Sequence, residues 1–163
     1  MRRPAGLLSG ALIALTAGCM TPPQPGQSRA EVVREWGTPS ASYTLPPPAG
    51  STRLEYATGP FGRTTWMVDL DAAGRVQRAM QVLTDGNLMG LQQRLPGMPR
   101  EQLLREIGTP GDRRSGGRQG GEIWSWRYAT NECLWFRVSI GDDGLSRDGG
   151  FYPDPVCDQP TGV

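Results

Sequence analysis

The chain has 163 residues, with 17 basic residues that are all arginine against 16 acidic ones, a formal charge of +1. A balance this even argues against nucleic acid, whose phosphates select a basic face. Histidine is absent, which removes the usual general base, the commonest metal ligand and the Ser-His-Asp and Cys-His arrangements.

Residues 1–18 begin with Arg2 and Arg3, continue through an apolar run too short to cross a bilayer, and end in small residues before Cys19. That order predicts a secretory signal peptide. Its end, "LTAGC" at Leu15–Cys19, closely resembles a bacterial lipobox. The resemblance implies cleavage before Cys19 and acylation of that cysteine's sulfur and amino group; an ordinary signal peptide with an incidental cysteine is the alternative. Several acyl chains would anchor the protein far more firmly than one, at ~0.8 kcal/mol per buried methylene. Met20 follows where retention in the inner membrane usually shows aspartate, so the expected destination is the outer membrane, periplasmic side. Without its leader the chain runs from Cys19 to Val163, enough for one compact domain or two small ones.

Residues 19–27, with "TPPQPGQ" at their end, read as a proline-rich tether without a core of its own. Ser28 and Glu31 form a capping box for a helix whose apolar stripe is Ala30, Val33 and Trp36, widened by Val32. Gly37 stops it in a left-handed turn and Pro39 prevents its restart. Three extended segments follow, Thr52–Thr58, Arg63–Asp71 and Gly74–Leu83, joined by "GPFG" and "AAG" hairpin turns. Asn87–Leu95 is then expected as a short helix with Leu88, Leu91 and Leu95 inward.

The pattern now repeats. "REWGTP" at Arg34–Pro39 returns as "REIGTP" at Arg105–Pro110, and Gly26 and Gly97 precede the two copies at the same offset. The second helix starts at Pro99 and carries Leu103, Leu104 and Ile107 to Gly108. Its strands are expected at Glu122–Ala129, Leu134–Ile140 and Gly144–Tyr152, with Tyr56/Tyr128, Val68/Val138, Leu70/Ile140 and Gly74/Gly144 as equivalent pairs. The reading is α+β: two tandem modules, each helical and then a three-stranded antiparallel meander, with helices packed on one sheet face. Module 1 is a shortened copy at 28–84, module 2 spans 85–158, and 159–163 is a tail. Cys133 and Cys157 form an even pair in an oxidising envelope and are expected to be bridged, against two free thiols.

Glycine at Gly26 and Gly97, the apolar positions Val32 and Leu103, "GTP" at Gly37–Pro39 and Gly108–Pro110, the "G-x-V" of Gly74 and Val76, and the "WxY" of Trp126 and Tyr128 together resemble the SmpA/OmlA (BamE-like) lipoprotein family, here in tandem. Asp85–Pro110 carries most of the likeness. The family implies a helix pair on a three-stranded sheet and a small lipoprotein supporting the machinery that inserts β-barrels. The tandem arrangement is also similar to that of the β-lactamase inhibitor protein, whose paired modules present a concave sheet to an enzyme. The duplicate, the shortened first module and the cysteine pair depart from the single-copy pattern.

Cys19 is thus the expected lipid-attachment site, and the membrane and envelope proteins, the β-barrel assembly machinery among them, are the expected partners. Trp36, Trp66, Trp124, Trp126, Trp135 and Phe136 are numerous for so small a domain. Period two puts Trp124 and Trp126 on one sheet face and sends Trp135 and Phe136 to opposite faces. Core filling accounts for most, and an aromatic cluster away from the helices would be a partner site. The partner-binding candidates are Phe61 and Arg63 at a hairpin tip, with Trp124 and Trp126. Arg113, Arg114 and Arg118, in what reads as the flexible loop Gly111–Gly121, are candidates for anionic head groups. Asp69, Asp71, Asp142 and Asp143 fall at turns, which favour aspartate for backbone reasons. No catalytic pair, metal site or cofactor is expected. The function expected is a non-catalytic outer-membrane lipoprotein, with a periplasmic inhibitor or ligand-binding module using a concave two-sheet surface as the alternative.

Overall fold

A computed structural model describes residues 21–46 and 51–158; the leader, Cys19 and the tail 159–163 lie outside the described residues. The chain is mixed α+β. Helix α1 (Arg29–Trp36) precedes strands β1 (Ala41–Thr44), β2 (Thr52–Thr58), β3 (Thr64–Leu70) and β4 (Val76–Gln81). Helices α2 (Asp85–Gln92) and α3 (Arg100–Ile107) precede β5 (Asp112–Ser115), β6 (Glu122–Arg127), β7 (Leu134–Ile140) and β8 (Ser146–Pro153). Each quartet of strands forms its own antiparallel sheet in chain order, sheet 1 from β1 to β4 and sheet 2 from β5 to β8.

The expected three-stranded meanders are therefore corrected to four strands each. The additional ones, β1 and β5, are short edge strands laid down after the helix-ending "GTP". β1 alternates between half-buried and exposed, and β5 is exposed after a half-buried Asp112, so neither shows the apolar alternation that marks a half-buried strand. β5 contains Arg113 and Arg114, which were expected in a loop.

Local chemistry explains the helix limits. The Ser28 hydroxyl accepts from the Glu31 N–H while the Glu31 carboxylate accepts from the Ser28 N–H, the reciprocal capping box. α1 buries Val32 and half-buries Trp36, whereas Ala30 is exposed, so the inward stripe is Val32–Trp36 rather than one through Ala30 and Val33. Leu103 and Ile107 in α3 repeat that i,i+4 spacing and are both buried. Both helices end on glycine, Gly37 with φ +81° and Gly108 with φ +84°. At both, ψ is near ±180°, a region essentially reserved for glycine.

The duplication extends to the backbone. The Gly26 N–H donates to Val76 O and the Val76 N–H to Gln27 O, each 2.8 Å; the Gly97 N–H donates to Ser146 O and the Ser146 N–H to Met98 O, again 2.8 Å. In both copies the residues ahead of the helix thus pair with the start of the last strand. The tether is correspondingly less free than expected: Pro23 is buried and the Trp36 Nε1–H donates to Thr21 O.

The helices do not share one sheet face. α1 covers the front of sheet 1, where Val32 packs with Leu54, Tyr56, Val68, Leu70 and Val76. The rear of sheet 1 contributes Met67 and Val82 to a second, larger core containing Leu88, Leu91, Leu95, Leu103 and Ile107 of the helix pair and Trp126, Phe136 and Val138 of sheet 2. α1, sheet 1, the α2–α3 pair and sheet 2 therefore succeed one another as layers, because α2–α3 has apolar residues to bury on two sides.

Polar side chains set the register where sheet 1 meets α3. Arg53 forks onto Asp69 (Nε–Oδ1 2.5 Å, Nη2–Oδ2 2.8 Å) and donates from Nη1 to Arg105 O in the last turn of α3 at 2.7 Å. The buried Glu55 carboxylate accepts from the Tyr43 phenol at 2.5 Å, the Thr109 N–H at 3.1 Å and the Thr109 hydroxyl at 3.2 Å. Burial, then the hydrogen bond to Glu55, pushes the Tyr43 phenol well above its ordinary pKa, so Tyr43 remains the donor of that pair. A buried ion pair such as Arg53–Asp69 contributes little net stability, yet removing one partner leaves an uncompensated charge.

Two predictions follow from the junction. Gly37→Ala and Gly108→Ala should each cost about 1–3 kcal/mol for the backbone conformation alone. Gly108→Ala should cost visibly more, because its Cβ would come within 3.0 Å of Glu55 Cδ and Thr65 Cγ2 whereas Gly37 meets nothing within 4 Å. Urea unfolding midpoints compare the two, and equal losses would contradict the packing described. Asp69 is the second. Burial alone would raise its pKa, but hydrogen bonds from Arg53 and Arg78 outweigh that and hold it below the ordinary 3.8. A depressed carboxylate contributes stability above its unfolded pKa and loses it as pH falls through the lower folded value. Asp69→Asn should therefore cost about 3–5 kcal/mol at neutral pH and flatten the stability loss below about pH 4, measured by unfolding at several pH values.

Candidate partner-binding surface

The inner face of sheet 2 belongs to the core. Trp124 and Trp126 on β6 are both buried, and the Trp126 indole N–H donates to Gly108 O at 3.0 Å. They are corrected from surface candidates to core residues: period two placed them on one face, and that face is the one the helices cover. Register carries Phe136 opposite Trp126 and Val138 opposite Trp124 on the same side.

The outer face holds the alternate residues. Trp135 pairs with Arg127 across β6–β7 and with Tyr152 across β7–β8, and Arg137 pairs with Ser125. The α2–α3 pair packs on the opposite face, and the short turn Pro60–Gly62 reaches β6 near Arg127. Trp135 is nevertheless buried, because arginines lie around its ring: the guanidinium carbons of Arg114, Arg127 and Arg137 stand 5.3, 5.2 and 5.7 Å from its centroid. Arg137 also lies 5.0 Å from the Tyr152 ring, which is 44 % exposed. Each such contact is worth about 0.5–1 kcal/mol at exposed sites, so the arginines screen the indole with side chains that can move.

Two of these arginines have carboxylate partners. Arg127 forks onto Asp154 (Nε–Oδ2 2.6 Å, Nη2–Oδ1 3.1 Å), and Arg114 meets Asp112 at 2.8 Å. Burial alone would raise the Asp154 pKa, but the Arg127 hydrogen bonds and the Val156 N–H hold it below the ordinary value, with Arg63 also contributing. Asp154 sits in the turn that the cysteine bridge closes. Its N–H donates to Cys133 O at 2.9 Å and its carbonyl accepts from the Cys157 N–H at 3.0 Å, while Cys133 and Cys157 are joined with Cα atoms 6.4 Å apart. The bridge thus anchors the carboxylate that orients Arg127.

The remaining candidates scatter. The turn Pro60–Gly62 rests against β6, and the Phe61 side chain lies outside the described residues. Arg63 is half-buried at the edge of the same region, and its Nε lacks a hydrogen-bond partner. Arg113 stacks on the inner-face Trp124 ring at 4.2 Å, Arg114 lies on the outer face, and Arg118 is exposed in a short 3-10 turn. Alternation along β5 therefore separates Arg113 from Arg114, and the three do not form the expected basic cluster. The turn aspartates serve backbone geometry: Asp71 accepts from the N–H groups of Ala73 and Arg75, and Asp143 from that of Leu145.

Two clefts accompany these surfaces. One of about 250 Å3 lies at the module junction beside Glu55, Thr109 and Trp126; another of about 460 Å3 opens beside Asp142, Asp143 and Arg147. Neither gathers a nucleophile with a base. The two sheets lie on opposite sides of the α2–α3 pair. Sequence reasoning missed Arg127, Arg137 and Tyr152 as a group; the usable signal was the opposite parity of Trp135 and Phe136. No protein-family model, curated protein or solved structure matches the chain.

Replacing Cys133 and Cys157 together by serine should cost about 3 kcal/mol on the chain-entropy model and loosen the Arg127–Asp154 pair. Guanidinium unfolding with and without reductant measures this, the wild type falling to the variant's stability when reduced. A wild type indifferent to reductant would contradict it.

Proposed function

We propose that the chain is a BamE-like, non-catalytic lipoprotein of the bacterial outer membrane that faces the periplasm and holds protein partners during β-barrel assembly or envelope maintenance. The observation that carries this reading is a doubled helix-and-sheet unit that follows the lipobox-like "LTAGC" at Leu15–Cys19. Each copy has a glycine before its helix, a glycine ending it and a glycine in the last hairpin, all at positive φ: Gly26, Gly37 and Gly74, then Gly97, Gly108 and Gly144. That recurrence supports the resemblance drawn from the letters alone, since the quoted glycines are positions whose backbone conformation side chains rarely adopt. The cysteine bridge suits an oxidising compartment. The fourth strand in each sheet is a further departure from the single-copy family pattern, besides the duplicate itself.

In this reading the fold is a scaffold. Fold alone transfers no activity, and the work is done by surfaces that touch other proteins and by a lipid that concentrates them at the membrane.

The test begins at Cys19. Mass spectrometry of the purified protein should find acyl chains on an N-terminal Cys19, and Cys19→Ser should release the protein from the outer-membrane fraction. Deleting the gene should sensitise cells to vancomycin and detergent, and the tagged wild type should co-purify with the β-barrel insertion complex. An unacylated wild type, or a serine variant retained equally in the membrane, would overturn the anchor. Normal envelope resistance without co-purification would overturn the role.

A further inference from the structure

Sheets 1 and 2 are copies that differ in what covers them. Aligning Tyr56 with Tyr128 and Val68 with Val138 sets Arg53 against Ser125, Thr65 against Trp135, Met67 against Arg137 and Val82 against Tyr152. In the first copy these positions form the rear of sheet 1 and lie buried against the α2–α3 pair. In the second copy they form the outer face of sheet 2, turned away from the α2–α3 pair.

A second observation comes from the polar atoms. The Ser125 hydroxyl, the Trp135 Nε1–H and the Arg137 Nε–H are buried atoms without a hydrogen-bond partner, and all three belong to this face. Trp135 and Ser125 are each 2 % exposed. Among the described residues Arg137 has no carboxylate within 4.0 Å, whereas Arg114 and Arg127 do. Unmet indole and guanidinium donors call for acceptor oxygens from elsewhere. The first copy shows how they arrive: Arg53, at the Ser125 position, donates to Arg105 O at the C-terminal end of a docked helix.

We infer that the outer face of sheet 2 docks the C-terminal end of an α-helix of a protein partner, whose free carbonyl oxygens are received by Arg137 and Trp135. A helix end suits the site on two counts. Its last four carbonyls lack partners within the helix, and its negative dipole end favours a nearby guanidinium. Tyr152 and the indole beneath Arg137 supply aromatic area of the kind that anchors interfaces. Docking requires Arg137 to swing off Trp135, a rotamer change of the sort common when interfaces form. The inference deepens the proposed role by naming the surface and the partner's chemistry, but it does not depend on the lipid.

The test uses the full chain carrying Cys19→Ser and a stapled alanine–leucine helix with a free C-terminal carboxylate. A second stapled helix carries the same sequence, amidated, with two lysines in its last turn. Titration followed by tryptophan emission should show binding of the first helix, weakened about tenfold or more by Arg137→Ser or Tyr152→Ser and by added salt, with the lysine helix far weaker. Circular dichroism checks each variant, and Tyr152→Ser, at an exposed position, serves if Arg137→Ser does not fold. Equal binding of both helices, or affinity unchanged in both variants, would overturn the inference. Self-association abolished by Tyr152→Ser would assign the face to a second copy instead. Binding to phosphatidylglycerol vesicles lost in Arg137→Ser, with neither helix bound, would assign it to a membrane surface. These measurements are made in solution, so a failed anchor at Cys19 leaves them intact and a failed docking leaves the anchor intact.

Discussion

The architecture depends on one packing constraint: the α2–α3 pair must bury apolar side chains on two sides. Leu88, Leu91, Leu95, Leu103 and Ile107 share one core with Trp126 and Phe136 of sheet 2 and with Met67 and Val82 of sheet 1. Hydrophobic burial is non-directional, so on its own it would let sheet 1 slide across the helices. The Arg53–Asp69 fork reaching Arg105 O, and Glu55 holding Thr109, fix where it stops. The apolar layer supplies the driving force, and the buried ion pair supplies the register at little net gain in stability.

This division explains why the two copies have diverged in their interiors while keeping their turns. Gly26, Gly37 and Gly74 recur as Gly97, Gly108 and Gly144 because each turn needs positive φ. Leu54 and Trp126, by contrast, occupy equivalent positions with very different volumes. Sheet 1 faces a single helix in front, whereas sheet 2 faces a pair, and core volume follows the space each arrangement leaves.

The repeat, the three helices and six of the eight strands were legible in the sequence because each carries a strong periodic or punctuating signal. β2 at Thr52–Thr58 and β7 at Leu134–Ile140 fall on the expected residues. β1 and β5 were illegible: four residues at a solvent-facing edge need no apolar alternation, and "DRRS" reads as loop by composition. The stripe of α1 was read one position off, since Ala30 and Val32 compete for the same side of a short helix and only packing decides. The aromatic candidates Trp124 and Trp126 fall on the covered parity for a similar reason. Alternation tells that Trp124 and Trp126 share a face, but which face the helices cover is a tertiary fact. Trp135 was assigned to the opposite side from Phe136, and it is the aromatic centre of the outer face, hidden by arginines that no period announces.

The N-terminal segment is pinned at one end of the layered stack. Thr21, two residues after Cys19, is held by the indole of Trp36 on α1, and Pro23 is buried. Thr21 therefore lies at the α1 end of the stack. With neighbouring layers roughly 10 Å apart, three spacings put the Trp135 side roughly 30 Å further out. In the proposed lipoprotein, acyl chains on Cys19 would lay the first helix closest to the bilayer and aim the arginine-screened indole into the aqueous space, a standoff that favours reaching assemblies projecting well clear of the lipid.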